Sequence, residues 1–112
     1  MRRGEVWLVN LDPTVGAEIQ KTRPAVIVST DLMGKLPLRI VVPVTEWKER
    51  YASVPWMLRV DPDSLNGLEK ISSIDCFQVR SISKHRFSRC MGKLPEDVMG
   101  DIIRRICLVL TA

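Results

Sequence analysis

The chain holds a single histidine, three cysteines and no long apolar run, and each shortage removes a class of function. One histidine excludes any mechanism that needs a histidine pair from one protomer. Cys76, Cys90 and Cys107 are odd in number, widely spaced and form no Cys-x-x-Cys pair, which argues against a disulfide framework and a zinc cluster. They read as reduced, semi-buried thiols. No stretch approaches the ~18 apolar residues of a membrane span. The opening Met1-Arg2-Arg3-Gly4-Glu5 has no apolar signal core behind its arginines, so a cytoplasmic location is expected. HExxH, GxSxG and GxxxxGK[ST] signatures are missing, as is a carboxylate-rich metal cluster, so neither metal nor cofactor is expected.

What is there suits an ordinary globular chain. The 112 residues can bury one core without staples, and no repeat or linker-like segment interrupts them, which predicts a single domain over residues 1–112. Seventeen basic residues against thirteen acidic give +4 at pH 7, an excess that permits polyanion binding without demonstrating it. Arg80, Lys84, His85, Arg86, Arg89 and Lys93 crowd one stretch that has no acid in it. Such a stretch is either a solvated positive face or a patch that tracks phosphates.

Short strands separated by turn signals are predicted over the first ninety residues. Glu5–Leu11 alternates, with Val6, Leu8 and Asn10 on one face and Trp7, Val9 and Leu11 on the other. Asp12-Pro13 breaks it, and a polar loop carrying Gly16 follows. Pro24–Ser29 and Leu38–Val44 are continuous apolar runs of the buried-strand type, with an edge or bulge expected at Pro43. Trp56–Val60 alternates weakly, and Asn66-Gly67 marks a turn. Lys70–Cys76 and Phe77–Ile82 read as one long bent strand or two short ones. The only convincing helix follows Gly92, with Pro95 at its first position and Val98, Ile102, Ile106 and Val109 on one face, while Arg104 and Arg105 face outward. A small, strongly bent sheet or barrel capped by a terminal helix is the expected architecture.

One local arrangement can carry chemistry. Arg23 stands directly before Pro24 at a strand mouth, and Thr45 ends the next long apolar run. If those strands are neighbours, a guanidinium and a hydroxyl converge beside the first loop. Arginine offers a planar fork of donors to phosphate oxygens and stabilises charge developing on phosphorus, and threonine adds a hydrogen bond. The alternative is that Arg23 pairs with Glu5 or Glu18 and Thr45 merely ends a strand. His85 lies within the basic run and Cys76 has no base partner, so neither is read as catalytic.

Gly4-Glu5-Val6-Trp7, Leu11–Glu18 and Lys21–Ser29, followed in order by Val42–Thr45, Gly67-Leu68, Asp75–Ile82 and Gly92–Leu94, strongly resemble the MazF/PemK toxins of bacterial toxin–antitoxin pairs. The resemblance spans nearly the whole chain. It implies a mainly β (α+β) fold, an SH3-like β-barrel with a C-terminal helix, assembled as a homodimer. It also implies metal-independent, sequence-specific cleavage of single-stranded RNA by the substrate's own 2′-OH, leaving a 2′,3′-cyclic phosphate and a 5′-OH. The family's motif arginine and threonine fall on Arg23 and Thr45. Gly16, Ala17 and Glu18 match the loop that closes over RNA, with the usual glutamine one residue late at Gln20, and Gln78 matches a base-contacting strand position. Arg80, Lys84 and Arg86 are expected to bind RNA as well. Where many relatives place an acid, this chain has Phe77, and Asp75 is read as structural. A cognate antitoxin with an acidic, disordered segment is the implied partner. A second reading remains open, a non-catalytic toxin of the same fold that poisons DNA gyrase.

Overall fold

The computed structural model describes all residues 1–112, with a Cα radius of gyration of 13.1 Å. Seven strands and one helix follow in chain order: β1 (Glu5–Asn10), β2 (Thr22–Ile27), β3 (Leu38–Glu46), β4 (Met57–Val60), β5 (Ser72–Asp75), β6 (Arg80–Ser83), β7 (Phe87–Lys93) and α1 (Glu96–Thr111). The strands form one antiparallel sheet in the order β4-β5-β3-β2-β1-β7, with β6 joined to β3 beside that path. The edge strands β4 and β7 do not pair, so the expected barrel is a barrel-like sheet that does not close.

Alternation decides the two cores. Val6, Val26, Val28, Val42 and Val44 point to one side and meet Met99, Ile102 and Ile106 of α1. Val9, Leu11, Ala25, Ile27, Val41 and Ile82 form a second cluster on the opposite side. The central strands therefore bury both faces, which is why Pro24–Ser29 and Leu38–Val44 read as unbroken apolar runs rather than alternating ones.

Several expectations are corrected in detail. A short 3-10 turn at Cys76–Gln78 divides β5 from β6, so the bent segment is two strands. The strand β7 falls inside the basic segment, where Phe87-Ser88-Arg89-Cys90-Met91 carries too little apolar alternation to announce it. Pro95 is the residue before the helix rather than its first, and its carbonyl accepts the Met99 N–H at 3.0 Å. The edge expected at Pro43 is a local one. Pro43 pairs with Ala25 of β2, while on the opposite flank β6 pairs only as far as Val41 and β5 only from Val44, so its missing N–H falls at a gap.

Arg105 does not face outward. It donates to the carbonyls of Pro55 (2.8 Å) and Met57 (3.0 Å) and to Asp101 Oδ1 (3.0 Å), tying α1 to the start of β4, while Arg104 is exposed. The cysteines divide as well. Cys76 is buried, and burial pushes its thiol up to about 12, whereas Cys90 and Cys107 are exposed. No helix is long and apolar enough to cross a membrane.

Candidate active site

The cleft that matters is made by strands parting. The strand β2 pairs with β1 from Thr22 to Val26 but with β3 only from Ala25 to Ile27, because Pro24 has no N–H with which to extend that ladder. Beyond Pro43, β3 turns its pairing to β5, with Thr45 opposite Ser73 and Glu46 opposite Ser72. A gap opens between the mouth of β2 and the end of β3. Continuing the β2–β3 register from Ala25–Pro43 outward sets Arg23 across from Thr45.

Both residues line a single cleft of about 420 Å³, together with Pro24, Lys48, Glu69, Lys70 and Arg89. Arg23 and Thr45 thus border one cleft, but no residue of the first loop lines it. Arg23 is exposed and joins no ion pair. The alternative partners are engaged elsewhere. Glu5 binds the N-terminal ammonium at 3.3 Å, the Arg2 N–H at 2.8 Å and the Trp7 indole N–H at 3.0 Å. Burial would raise its carboxyl, but those donors outweigh it and hold the group below its ordinary value. Glu18 is turned back onto its own loop, accepting the Val15 N–H at 2.8 Å.

Four cations (Arg23, Lys48, Lys70 and Arg89) and two acids (Glu46 and Glu69) surround the cleft. Lys70 reaches Glu46 at 3.6 Å, with both side chains about 60% exposed, so the pair contributes at most about 1 kcal/mol and leaves the cleft net positive. Sequence reasoning missed Lys48, Glu69 and Lys70, since no local pattern marks them. It also saw Arg89 only as one member of a basic run. Lys48 arrives directly behind β3, whereas Glu69 and Lys70 are brought beside Arg89 by a close crossing: the turn at Leu65–Gly67 lies against Met91 and Gly92 of β7, where Lys93 N–H donates to the Leu65 carbonyl at 2.9 Å.

Only four of the expected RNA contacts, Ala17, Glu18, Gln78 and Arg80, share a second groove, which Phe77 and Val79 also line. Gly16, Gln20, Lys84 and Arg86 line neither the cleft nor this groove. Two arginines of the basic stretch are anchors. Arg80 donates to the Leu11 carbonyl at 3.3 Å, and Arg86 donates to the carbonyls of Asn10 and Asp12. They hold the start of the first loop, with donors left over on each guanidinium fork. Lys84 and His85 are exposed and sit in a short 3-10 turn.

Gln78 is a latch for the far side of that loop. Its Oε1 accepts the Ile19 N–H at 2.7 Å, and its Nε2 donates to the Ala17 carbonyl at 3.3 Å and to Asp75 Oδ2 at 3.2 Å. Asp75 is buried, which raises its carboxyl above the ordinary value against the lowering effect of bonds from Phe77 and Gln78. It caps the 3-10 turn through the Phe77 N–H at 3.1 Å, a structural contact. Phe77 is exposed and tilts against Trp56, their centroids 5.2 Å apart. Gln78→Ala should therefore free the loop: at about 1 kcal/mol net per hydrogen bond, exchange of the Ile19 amide should quicken several-fold while α1 is unchanged. Unaltered exchange at Ile19 would show that the loop is held by something other than this side chain.

Against known proteins, the model of a family described as "PemK-like, MazF-like toxin of type II toxin-antitoxin system" matches residues 2–110. The endoribonuclease PemK of Escherichia coli is 34% identical over 113 residues, which cover 99% of this chain and 83% of that protein. The endoribonuclease MazF9 of Mycobacterium tuberculosis is 37% identical over 101 residues, covering 84% and 82%. Among solved structures, MazF from Deinococcus radiodurans superimposes with a TM-score of 0.82 at 22% identity, covering 100% of this chain and 97% of that one. A mycobacterial endoribonuclease in complex with its cognate antitoxin gives 0.76 at 16% identity, covering 98% and 94%. The structural likeness carries the fold, and the sequence matches carry the family. By both length and identity of match, this chain belongs to the PemK-like, MazF-like toxins of type II toxin–antitoxin systems.

Proposed function

We propose that the chain is the toxin of such a pair and acts as an endoribonuclease on single-stranded RNA, residues 1–112 working as one domain. The observation that carries this reading is the meeting of Arg23 and Thr45, distant in sequence, in one cation-rich cleft where Arg23 is held in no ion pair. The relatives named endoribonuclease favour cleavage over the gyrase-poisoning alternative.

In this mechanism the ribose 2′-OH attacks the adjacent phosphorus, the bond to the 5′ oxygen breaks, and the products are a 2′,3′-cyclic phosphate and a 5′-OH. Negative charge grows on the non-bridging oxygens during the attack. The Arg23 guanidinium meets that charge with a fixed fork of donors, and the Thr45 hydroxyl adds a neutral hydrogen bond. Net positive potential across the cleft, with Lys48 and Arg89 beside the pair, draws the phosphate chain in. The first loop and Gln78 contact bases, which requires the loop to leave its latch as RNA arrives.

The toxin acts as a homodimer in the cytoplasm, where its RNA substrate lies. A cognate antitoxin with an acidic, disordered segment folds along it and sets carboxylates against the cleft cations. In the direct test, purified protein is incubated with single-stranded RNA and with DNA of the same sequence in excess chelator. Discrete RNA fragments and intact DNA are expected. Intact RNA, or activity restored only by added magnesium, would overturn the mechanism.

A further inference from the structure

The turn after β3 carries a concave surface that no role above uses. This groove of about 430 Å³ is lined by Trp47, Tyr51, Pro55, Arg59 and Arg105, among others. The rings of Trp47 and Tyr51 meet edge to face, with centroids 5.9 Å apart and planes at 76°. The Arg59 guanidinium lies 5.7 Å from the centre of the Trp47 ring, and that of Arg50 lies 5.2 Å from the Tyr51 ring.

Packing of the interior does not account for this cluster, since neither aromatic belongs to or packs on either core. Trp47 is nevertheless held in place. Trp47 donates its indole N–H to Glu49 at 3.2 Å and its backbone N–H to the Ile71 carbonyl at 3.1 Å. Arg105 is fixed by the carbonyls of Pro55 and Met57, so it forms a wall. Arg59 is paired with Asp61 at 3.0 Å. Lys48 and Arg50 are in no ion pair.

Position relative to the cleft gives the cluster its meaning. Trp47 directly follows β3, and its N–H donates to the Ile71 carbonyl at 3.1 Å, so the groove begins where the cleft's β3 wall of Thr45 and Glu46 ends. Lys48 already lines the cleft that holds Thr45. The groove is thus the next surface reached by a strand leaving the reacting phosphate.

We propose that Trp47 and Tyr51 form a stacking shelf for an unpaired base next to the scissile nucleotide, with Lys48 and Arg50 tracking the intervening phosphate. The proposal rests on the ribonuclease reading. Single-stranded RNA is held by splayed bases stacked on aromatic rings and guanidinium planes, and such stacking accepts any base. The shelf therefore binds and registers the strand, and the reaction itself stays at Arg23 and Thr45.

The test is an abasic scan of an RNA that the wild-type protein cuts once. Each nucleotide flanking the cut is replaced in turn by its abasic form, and wild type, Trp47→Ala, Trp47→Phe and Tyr51→Ala are compared. One abasic position should raise KM for wild type by about tenfold and leave kcat near its original value. Trp47→Ala should raise KM for intact RNA similarly and add nothing at that abasic position, and Trp47→Phe should recover most of the loss. Tyr51→Ala should lose in the same direction, which keeps the test open if Trp47→Ala folds poorly. Efficient cutting with losses that simply multiply at every position, or Trp47 and Tyr51 variants with wild-type KM, would overturn the shelf. A wild-type protein that cuts no RNA at all overturns the ribonuclease reading instead, and the shelf with it.

Discussion

Arg23→Ala is expected to lower RNA cleavage by about 10²-fold or more, the scale of removing one donor aimed at developing charge. The fold should survive, because Arg23 is exposed, joins no ion pair, and contributes to the sheet through its backbone pairing with Val9. Arg23→Lys should also be impaired, since an ammonium keeps the charge but lacks the planar fork. Thr45→Ala should lose less, having removed a neutral hydrogen bond, and Thr45→Ser should retain more than Thr45→Ala if the hydroxyl is what acts. Single-turnover rates with circular dichroism on each variant check the series. A folded Arg23→Ala protein that cuts RNA at the wild-type rate would remove Arg23 from the chemistry.

The largest expected loss of stability lies at Gly67. Its φ is +70°, and a Cβ there would stand 2.0 Å from the Met91 carbonyl oxygen and 2.6 Å from its carbon. Both contacts are backbone of β7, so no rotamer change relieves them. Gly92 meets the same crossing from the other strand, its would-be Cβ 2.2 Å from the Leu65 carbonyl oxygen. Adding the left-handed penalty to overpacking gives about 2–5 kcal/mol for Gly67→Ala, a large part of the roughly 5–15 kcal/mol that holds a small domain together. Gly34→Ala is the control: its φ is +62° but nothing lies within 4 Å, so it should cost only the backbone term. Urea midpoints separate the two. Equal midpoints would mean that the turn at Leu65–Gly67 does not press on β7.

That crossing also explains what the sequence could and could not convey. The two-sided burial of β2 and β3 is written in their apolar runs, and the face of α1 in the spacing of Ile102 and Ile106. Asn66-Gly67 was legible as a turn, but not the fact that it rests on β7, because that contact joins segments with no shared local pattern. The strand β7 itself was hidden, since an edge strand beside a cleft can carry Arg89 and Ser88 in place of apolar residues. Arg105 looked like a surface residue by helical phase, yet its length lets it reach back to the carbonyls of Pro55, just before β4, and Met57, its first residue.

The site was legible in part for the same reason. Arg23 and Thr45 stand at strand ends that Pro24 and the long apolar runs announce, so their convergence could be proposed from residues alone. The basic stretch could not be resolved that way. Arg80 and Arg86 point to loop carbonyls, Arg89 to the cleft and Lys84 to solvent, because consecutive positions of a strand–turn–strand segment diverge in space.

The most direct measurement is the fate of an RNA carrying one 2′-deoxyribose at the scissile nucleotide, run beside its all-ribose parent in excess chelator, with the product ends identified by mass. Cleavage of the parent to a 2′,3′-cyclic phosphate and a 5′-OH, and no cleavage of the deoxy-substituted strand at that position, is the predicted result. Cutting of the deoxy-substituted strand at the same bond, or products bearing a 5′-phosphate, would contradict attack by the 2′-OH in the Arg23–Thr45 cleft.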